Sequence, residues 1–167
     1  MMRSTDTTYK QFDKYITEWM ARHGIECLRV SLGLIFFWFG VLKFFPGLSP
    51  AQDLAGRTIE LLTFGMMPPQ VSVPVLALWE CLIGIGLITN LFMRATLLLL
   101  FVQMLGTVTP VFLFPAEVFT ALPFAPTLEG QYIIKNIVLV SAGLVIGATV
   151  RGGRVVADPG DCFSPAT

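Results

Sequence analysis

Apolar residues in this chain are gathered into four long blocks instead of being spread at the spacing of a soluble amphipathic fold. The blocks run from about Ile25 to Phe45, Val73 to Phe92, Ala95 to Phe114 and Gln131 to Val150. Each is about 20 residues long, and at 1.5 Å per residue such a helix crosses the roughly 30 Å hydrocarbon core of a bilayer. The pattern predicts an all-α polytopic membrane protein, a four-transmembrane-helix bundle. Pro46-Gly47 closes the first block, and Pro74 falls in the first turn of the second, where its missing N–H is tolerated. Asn90 to Arg94 leaves room only for a tight turn, so spans two and three are expected to be antiparallel neighbours.

The segments between the blocks carry their own helix signals. Residues 9–22 place Tyr9, Phe12, Ile16, Trp19 and Met20 on one helical face, with Lys10, Asp13, Lys14 and Glu18 on the others. This predicts a short amphipathic amino-terminal helix lying on the membrane surface. Before span two, Ser49 suits an N-cap, Pro50 the first helical position and Gln52 the far side of a capping box. Leu54, Thr58, Leu61, Leu62 and Gly65 then share a face, which predicts a helix over 50–64 packed on the outer mouth of the bundle. The connection 115–130 is rich in Pro and Phe and has no Lys or Arg. Three segments result: an amphipathic amino-terminal segment over 1–24, the membrane domain over 25–150 and a tail over 151–167.

Composition sharpens the class. Of 167 residues 54% are hydrophobic and 13% charged, against about 25% charged in typical soluble chains, and mean hydropathy is +0.74. Formal net charge is zero, which removes any bulk attraction to nucleic acid. The basic residues are unevenly placed. Arg3, Lys10, Lys14 and Arg22 precede span one, Arg94 lies between spans two and three, and Arg151 and Arg154 follow span four, whereas the opposite loops hold Arg57. The positive-inside rule then puts both termini and the short turn in the cytoplasm. The first 24 residues lack a continuous apolar stretch, so the first span is expected to act as its own uncleaved signal.

Polar and small residues inside the spans recur at helical spacing. Span one carries Arg29, Gly33, Phe36, Gly40 and Lys43 in steps of four, three, four and three. Span two has Ala77, Glu80, Cys81 and Gly84, span three Gln103, Gly106, Thr107 and Pro110, and span four Asn136, Val140, Gly143 and Gly147, with Lys135 beside them. Small residues allow close helix contacts in membranes and polar ones hydrogen-bond across them, so four inward stripes make a compact bundle with a partly polar axis.

Glu80 is the most informative residue. A bare carboxylate about two turns inside a span costs a few kcal/mol, so it must be neutral or paired. Lys43 and Lys135 lie in the same half of the bundle, and either can serve as its partner or snorkel to the interface. Trp38 and Trp79, near the same level, can stack on a planar ligand such as a quinone ring or act as interface anchors. Arg29, one turn inside the opposite end with Glu26 three residues before it, reads as an anchor. The cysteines Cys27, Cys81 and Cys162 form no CxxC pair, and Cys27 and Cys81 are expected to be small buried hydrophobes. His23 is the single histidine and no metal cluster can be built around it, and no residue is assigned as catalytic.

The run Arg29-Val-Ser-Leu-Gly33-Leu-Ile-Phe36-Phe-Trp-Phe-Gly40-Val-Leu-Lys43 resembles the first helix of the DoxX-like membrane proteins, whose pattern is R-x3-G-x2-F-x3-G-x2-K. Glu80-x3-Gly84, then Arg94 after the turn, resembles the same family, and Gly130-Gln-Tyr-Ile-Ile-Lys135-Asn136 is similar to its YkgB-like branch, linked to reactive chlorine resistance. The resemblance covers about residues 25–150. It implies a four-helix membrane bundle, in the bacterial cytoplasmic (inner) membrane, associated with quinone-linked oxidoreductases, oxidative-stress complexes or maturation of periplasmic redox enzymes.

Residues and resemblance together lead to an accessory subunit of a quinone-linked redox or oxidative-stress system. It would bind an apolar ligand, a quinone being the one considered, in the outer half of the bundle. Glu80, Lys43, Lys135, Gln103 and Asn136 would supply polar contacts and Trp38 and Trp79 the walls. The expected partners are the lipid bilayer and a redox enzyme or further copies of the chain. The alternative is a non-catalytic scaffold or maturation factor docking a soluble partner. A carrier using Glu80 as a proton site is disfavoured, because four short helices leave little room for alternating access.

Overall fold

The computed structural model describes residues 3–49 and 51–157, with side chains from Gln11 onward. Pro50, Cys162, the tail from 158 and the side chains of Arg3, Tyr9 and Lys10 lie outside the described residues. The elements are α1 (Arg3–Leu42), α2 (Gln52–Leu62), α3 (Pro69–Thr89), α4 (Met93–Val108), α5 (Pro110–Leu113), α6 (Pro115–Val118), β1 (Phe119–Ala121), β2 (Ala125–Pro126) and α7 (Leu128–Thr149). Among the described residues four stretches are long and apolar enough to cross a membrane: Gln11–Leu42, Pro69–Thr89, Met93–Leu113 and Leu128–Thr149. The four-span, essentially all-α architecture is as the pattern predicts, with one small hairpin, β1 against β2, added in the last connection.

Three local expectations are corrected. The amino-terminal helix is not a separate surface element: α1 runs unbroken through the 24/25 boundary. A lone Gly24 costs only about 1 kcal/mol against Ala and cannot stop a helix. Forty residues make a helix of about 60 Å, roughly twice the hydrocarbon thickness, so the amino-terminal half of α1 projects beyond the bilayer. The capping box at Ser49 does not form either. Ala51 is the N-cap of α2 without a side-chain bond, Ser49 is buried, and Gln52 Oε1 is buried without a partner. Cys81 is buried as expected, but Cys27 is exposed, because it lies off the face of α1 that meets α3.

Two helix ends are explained by proline. α3 starts at Pro69, four residues before the expected start, so Pro69 stands in the first turn and Pro74, expected there, lies inside the helix. Pro110 ends α4 at Val108, since its ring nitrogen cannot donate back to the preceding turn. At the other end of α3, Asn90 takes the left-handed conformation (φ 59°) that closes a helix and starts the tight turn into α4. Thr127 caps the start of α7, its hydroxyl accepting from the Gly130 N–H at 3.2 Å.

The four long helices form a ring in the order α1, α3, α4, α7, and α1 packs most extensively on α3. Glycine makes that contact close. A Cβ on Gly33 would stand 2.9 Å from the Gly84 carbonyl oxygen, and one on Gly40 would stand 2.9 Å from the Cys81 amide nitrogen. The core of Leu32, Phe36, Ile83, Leu87, Leu97, Leu100, Met104, Ala142 and Ile146 occupies the half nearest the α3–α4 turn. Because Gly40 lies against Ala77 and Cys81, α1 ends roughly two turns short of the start of α3. α2 occupies that gap, packed on α3 and touching α5, with Gly56 against Pro69 and Val73.

Candidate ligand-binding site

The stripe of span one forms the seam with α3 and ends in the site. At the α3–α4 turn, Arg29 donates to the carbonyl oxygens of Leu87 and of Ile88, the latter at 3.0 Å. These are last-turn carbonyls of α3 with no intrahelical partner, so Arg29 caps that helix. Gly33 and Gly40 provide the close approach, and Phe36 is buried in the core between them. Lys43, just past the last residue of α1, reaches Glu80: its Nζ stands 2.6 Å from Oε2, with the two side chains 11% and 9% exposed.

Glu80 is held on both oxygens. Gln103 of α4 donates from Nε2 to Glu80 Oε1 at 2.7 Å. A carboxylate paired with an ammonium only accepts, which fixes the direction of the Gln103 amide and leaves its Oε1 buried without a protein partner. The triad thus ties α1, α3 and α4 together in the half of the bundle that holds no continuous apolar core. Lys135 takes no part in it. It is exposed, with Nζ over the Tyr132 ring at 6.0 Å. Of the two candidate lysines, Lys43 is the partner of Glu80, because the glycine seam brings α1, and not α7, against α3.

A cavity of about 490 Å³ opens beside the triad, within the range of sites for drug-sized ligands. α2 covers it with Leu54, Ala55, Thr58, Ile59 and Leu62; Ile35, Phe36 and Phe39 of α1, Met104 of α4 and Ile133 and Leu139 of α7 supply further apolar wall. Lys43, Trp79, Glu80, Gln103, Lys135 and Asn136 all line it. Trp79 is fixed by an Nε1 bond to the Leu99 carbonyl at 3.2 Å, and Asn136 donates to Thr107 Oγ1 at 3.4 Å. Trp38 does not belong to the site. It is 66% exposed and absent from the lining, since it follows the buried Phe36 by two residues and so points to the opposite face of α1.

Sequence reasoning passed over five polar groups of the wall: Ser49, Thr58, Thr107, Glu129 and Tyr132. Tyr132 is one helical turn before Lys135 and Asn136, so the i, i+3, i+4 rule applied backwards along α7 would have found it. Thr58 stood on the predicted apolar face of the loop helix, and its hydroxyl is satisfied by the Leu54 carbonyl at 2.6 Å.

Above the cavity an exposed clasp joins α2 to α6. Arg57 donates to both Glu117 oxygens, at 2.8 and 2.5 Å, and its guanidinium lies 5.3 Å from the Phe114 ring centroid. The hydrogen bond from Arg57 lowers the Glu117 pKa below its ordinary value, and the same bond raises that of Arg57. Among the described residues no group of His, Cys, Asp and Glu can hold a metal ion. The arrangement can hold a flat or elongated apolar body whose oxygen meets the Lys43 ammonium, which has donors beyond the one given to Glu80.

A protein-family model described as DoxX matches residues 24–116, more than half of the chain, running from within α1 to the start of α6 and including Arg29, Lys43, Glu80 and Gln103. No curated protein and no solved structure matches.

Proposed function

The chain belongs to the DoxX family, and on that premise we propose that it is an accessory membrane subunit of a quinone-linked redox or oxidative-stress system. In this reading it holds a quinone-type ring in the cavity beneath α2. The observation that carries the reading is a largely apolar cavity closed at one end by the Lys43–Glu80–Gln103 triad. Lys43 donates to a ring oxygen, Trp79 provides a flat wall, and Asn136 and Lys135 contact the far side. The uneven placement of basic residues supports a bacterial cytoplasmic membrane orientation with both termini inside and α2 outside.

The test is extraction of the protein in mild detergent from native membranes, followed by mass spectrometry of bound small molecules. Quinone should co-purify well above its share of the carried-over lipid, and Lys43→Met should lower it. Wild-type protein carrying quinone only in proportion to bulk lipid would overturn the proposal.

A scaffold role has one observation of its own. The part of α1 that projects from the bilayer exposes Phe12, Tyr15, Trp19 and Met20, at 51–69%, an apolar stripe a soluble redox partner can cover. Trp19→Asp with Tyr15→Asp should then abolish co-purification of that partner while leaving quinone content unchanged.

A further inference from the structure

We propose that the cavity is filled sideways from the lipid phase, through a mouth between α1 and α7, by a bilayer-dissolved molecule with an oxygen-bearing head and a long apolar chain. The inference rests on the reading of the cavity as a ligand site and adds where the ligand comes from. Toward the nearer end of the bundle the cavity is roofed by α2, which lines it along most of its length. The flank between α1 and α7 differs. The shared core takes Leu32 and Phe36 from α1 and Ala142 and Ile146 from α7, with Leu28, Leu139, Val140 and Val150 packed against it, and it is centred on the half near the α3–α4 turn.

Further toward α2 the facing residues line the cavity without closing it. Ile35, Phe39 and Tyr132 line it and are nevertheless 42%, 42% and 43% exposed, as is Leu62 at the end of α2, at 49%. Side chains that belong both to a cavity wall and to the outer surface mark its mouth. Ile35 and Phe39 fall within the span Gln11–Leu42, and Tyr132 within Leu128–Thr149, so the mouth opens at membrane depth. Water is a poor occupant of an opening rimmed by Ile and Phe, and lipid chains are a good one. About 490 Å³ accommodates a drug-sized body, so a long chain attached to the head must continue through the mouth into the bilayer.

The chemistry at the two ends agrees with such a molecule. The Lys43–Glu80 pair lies deep, where a head group would stop. At the rim Lys135 stands over Tyr132, an amphipathic pair of the kind found at membrane interfaces. A water-soluble substrate would instead need a polar entrance past α2, where Leu54, Ile59 and Leu62 face the cavity.

The test uses full-length protein with Trp79 as its single tryptophan (Trp19→Phe, Trp38→Phe), reconstituted into phospholipid vesicles. Two quenchers are compared: a benzoquinone with a decyl chain, delivered from donor vesicles in a stopped-flow instrument, and phospholipids brominated on their acyl chains. The mouth is narrowed by Ile35→Phe and widened by Ile35→Ala. Leu34→Phe, on an exposed residue outside the lining, is the control. The expected result is quinone quenching slowed several-fold by the narrowed mouth, accelerated by the widened one and unchanged in the control. Quinone quenching that ignores all three changes overturns the side entrance and leaves the ligand reading standing. Brominated-chain quenching that depends on the mouth, with no quinone quenching, keeps the side entrance and removes the quinone. Quenching by neither removes both. If the narrowed variant fails to fold, the widened one decides, since faster quenching is expected only of a mouth at Ile35.

Discussion

Glu80→Gln removes the anion from beneath Lys43 while keeping the shape and a hydrogen-bonding head. The pair it breaks is short (2.6 Å) and its side chains are 11% and 9% exposed, so the remaining ammonium has little water to turn to. Breaking a buried pair on one side is worth on the order of 3–5 kcal/mol, and a lone Lys at the centre of a membrane helix costs about 2.5–3.5 kcal/mol. Lys43 follows the last residue of α1 and can swing partly toward α2, which favours the lower end, about 3 kcal/mol. For a chain of this size each kcal/mol moves Tm by roughly 2–4 °C, giving an expected fall of about 6–12 °C. Lys43→Met alone should cost less, because the carboxyl can take up a proton and keep its bond from Gln103. The double variant removes both charges and should recover much of the loss, a coupling of about 2 kcal/mol or more. Lys135→Met should show no coupling to Glu80. Thermal unfolding in detergent, followed by circular dichroism, provides all the values, and ligand content measured on the same samples separates a structural pair from a site. Additive effects of Glu80→Gln and Lys43→Met, or coupling of Glu80 to Lys135, would refute the assignment of the triad.

Gly40→Leu should lower stability by about 1–3 kcal/mol or more, because its Cβ would meet backbone atoms of Cys81 and Ala77 at 2.9 and 3.0 Å; wild-type unfolding would remove Gly40 from the seam. The Arg57–Glu117 clasp should open in acid. The Glu117 pKa is lowered in the folded protein, so its contribution is complete above the ordinary carboxylate range and disappears as pH falls through the lowered value. Both side chains are about half exposed, which makes the effect modest and salt-sensitive. Spin labels on α2 and on Ala116 should separate between about pH 5 and pH 2, and Glu117→Gln should abolish the change. In a cysteine-free background, Cys at Phe124 should react with an impermeant thiol reagent in intact cells and Cys at Asn90 should not; equal labelling would refute the orientation proposed from the basic residues.

The sequence determined the number of spans and the composition of the α1–α3 seam, because both follow from short-range spacing. A predominantly apolar run of about 20 residues has one use in a bilayer, where unsatisfied backbone groups are excluded. The steps from Arg29 to Lys43 define one helical face whatever that face meets. The same logic made Glu80 stand out, since an ionisable group in a span must find a partner. The tertiary structure alone decided which partner. Lys43 and Lys135 are equivalent candidates on paper, and the choice came from the glycines of α1 and α3, which bring those two helices close and leave α7 across the ring. Depth worked in the same way. Trp38 and Trp79 stand near one level, but level is read along the chain and facing is a property of the packed bundle, so Trp38 ended on the outer face and Trp79 in the cavity wall. The continuity of α1 was hidden because amphipathic and fully apolar stretches share one backbone conformation, and their hydrophobic patterns differ even when the helix does not break. The cavity has the longest-range origin. It exists because α1 stops about two turns short of the start of α3 and α2 closes the gap from above, a match of helix lengths that no local window of sequence contains.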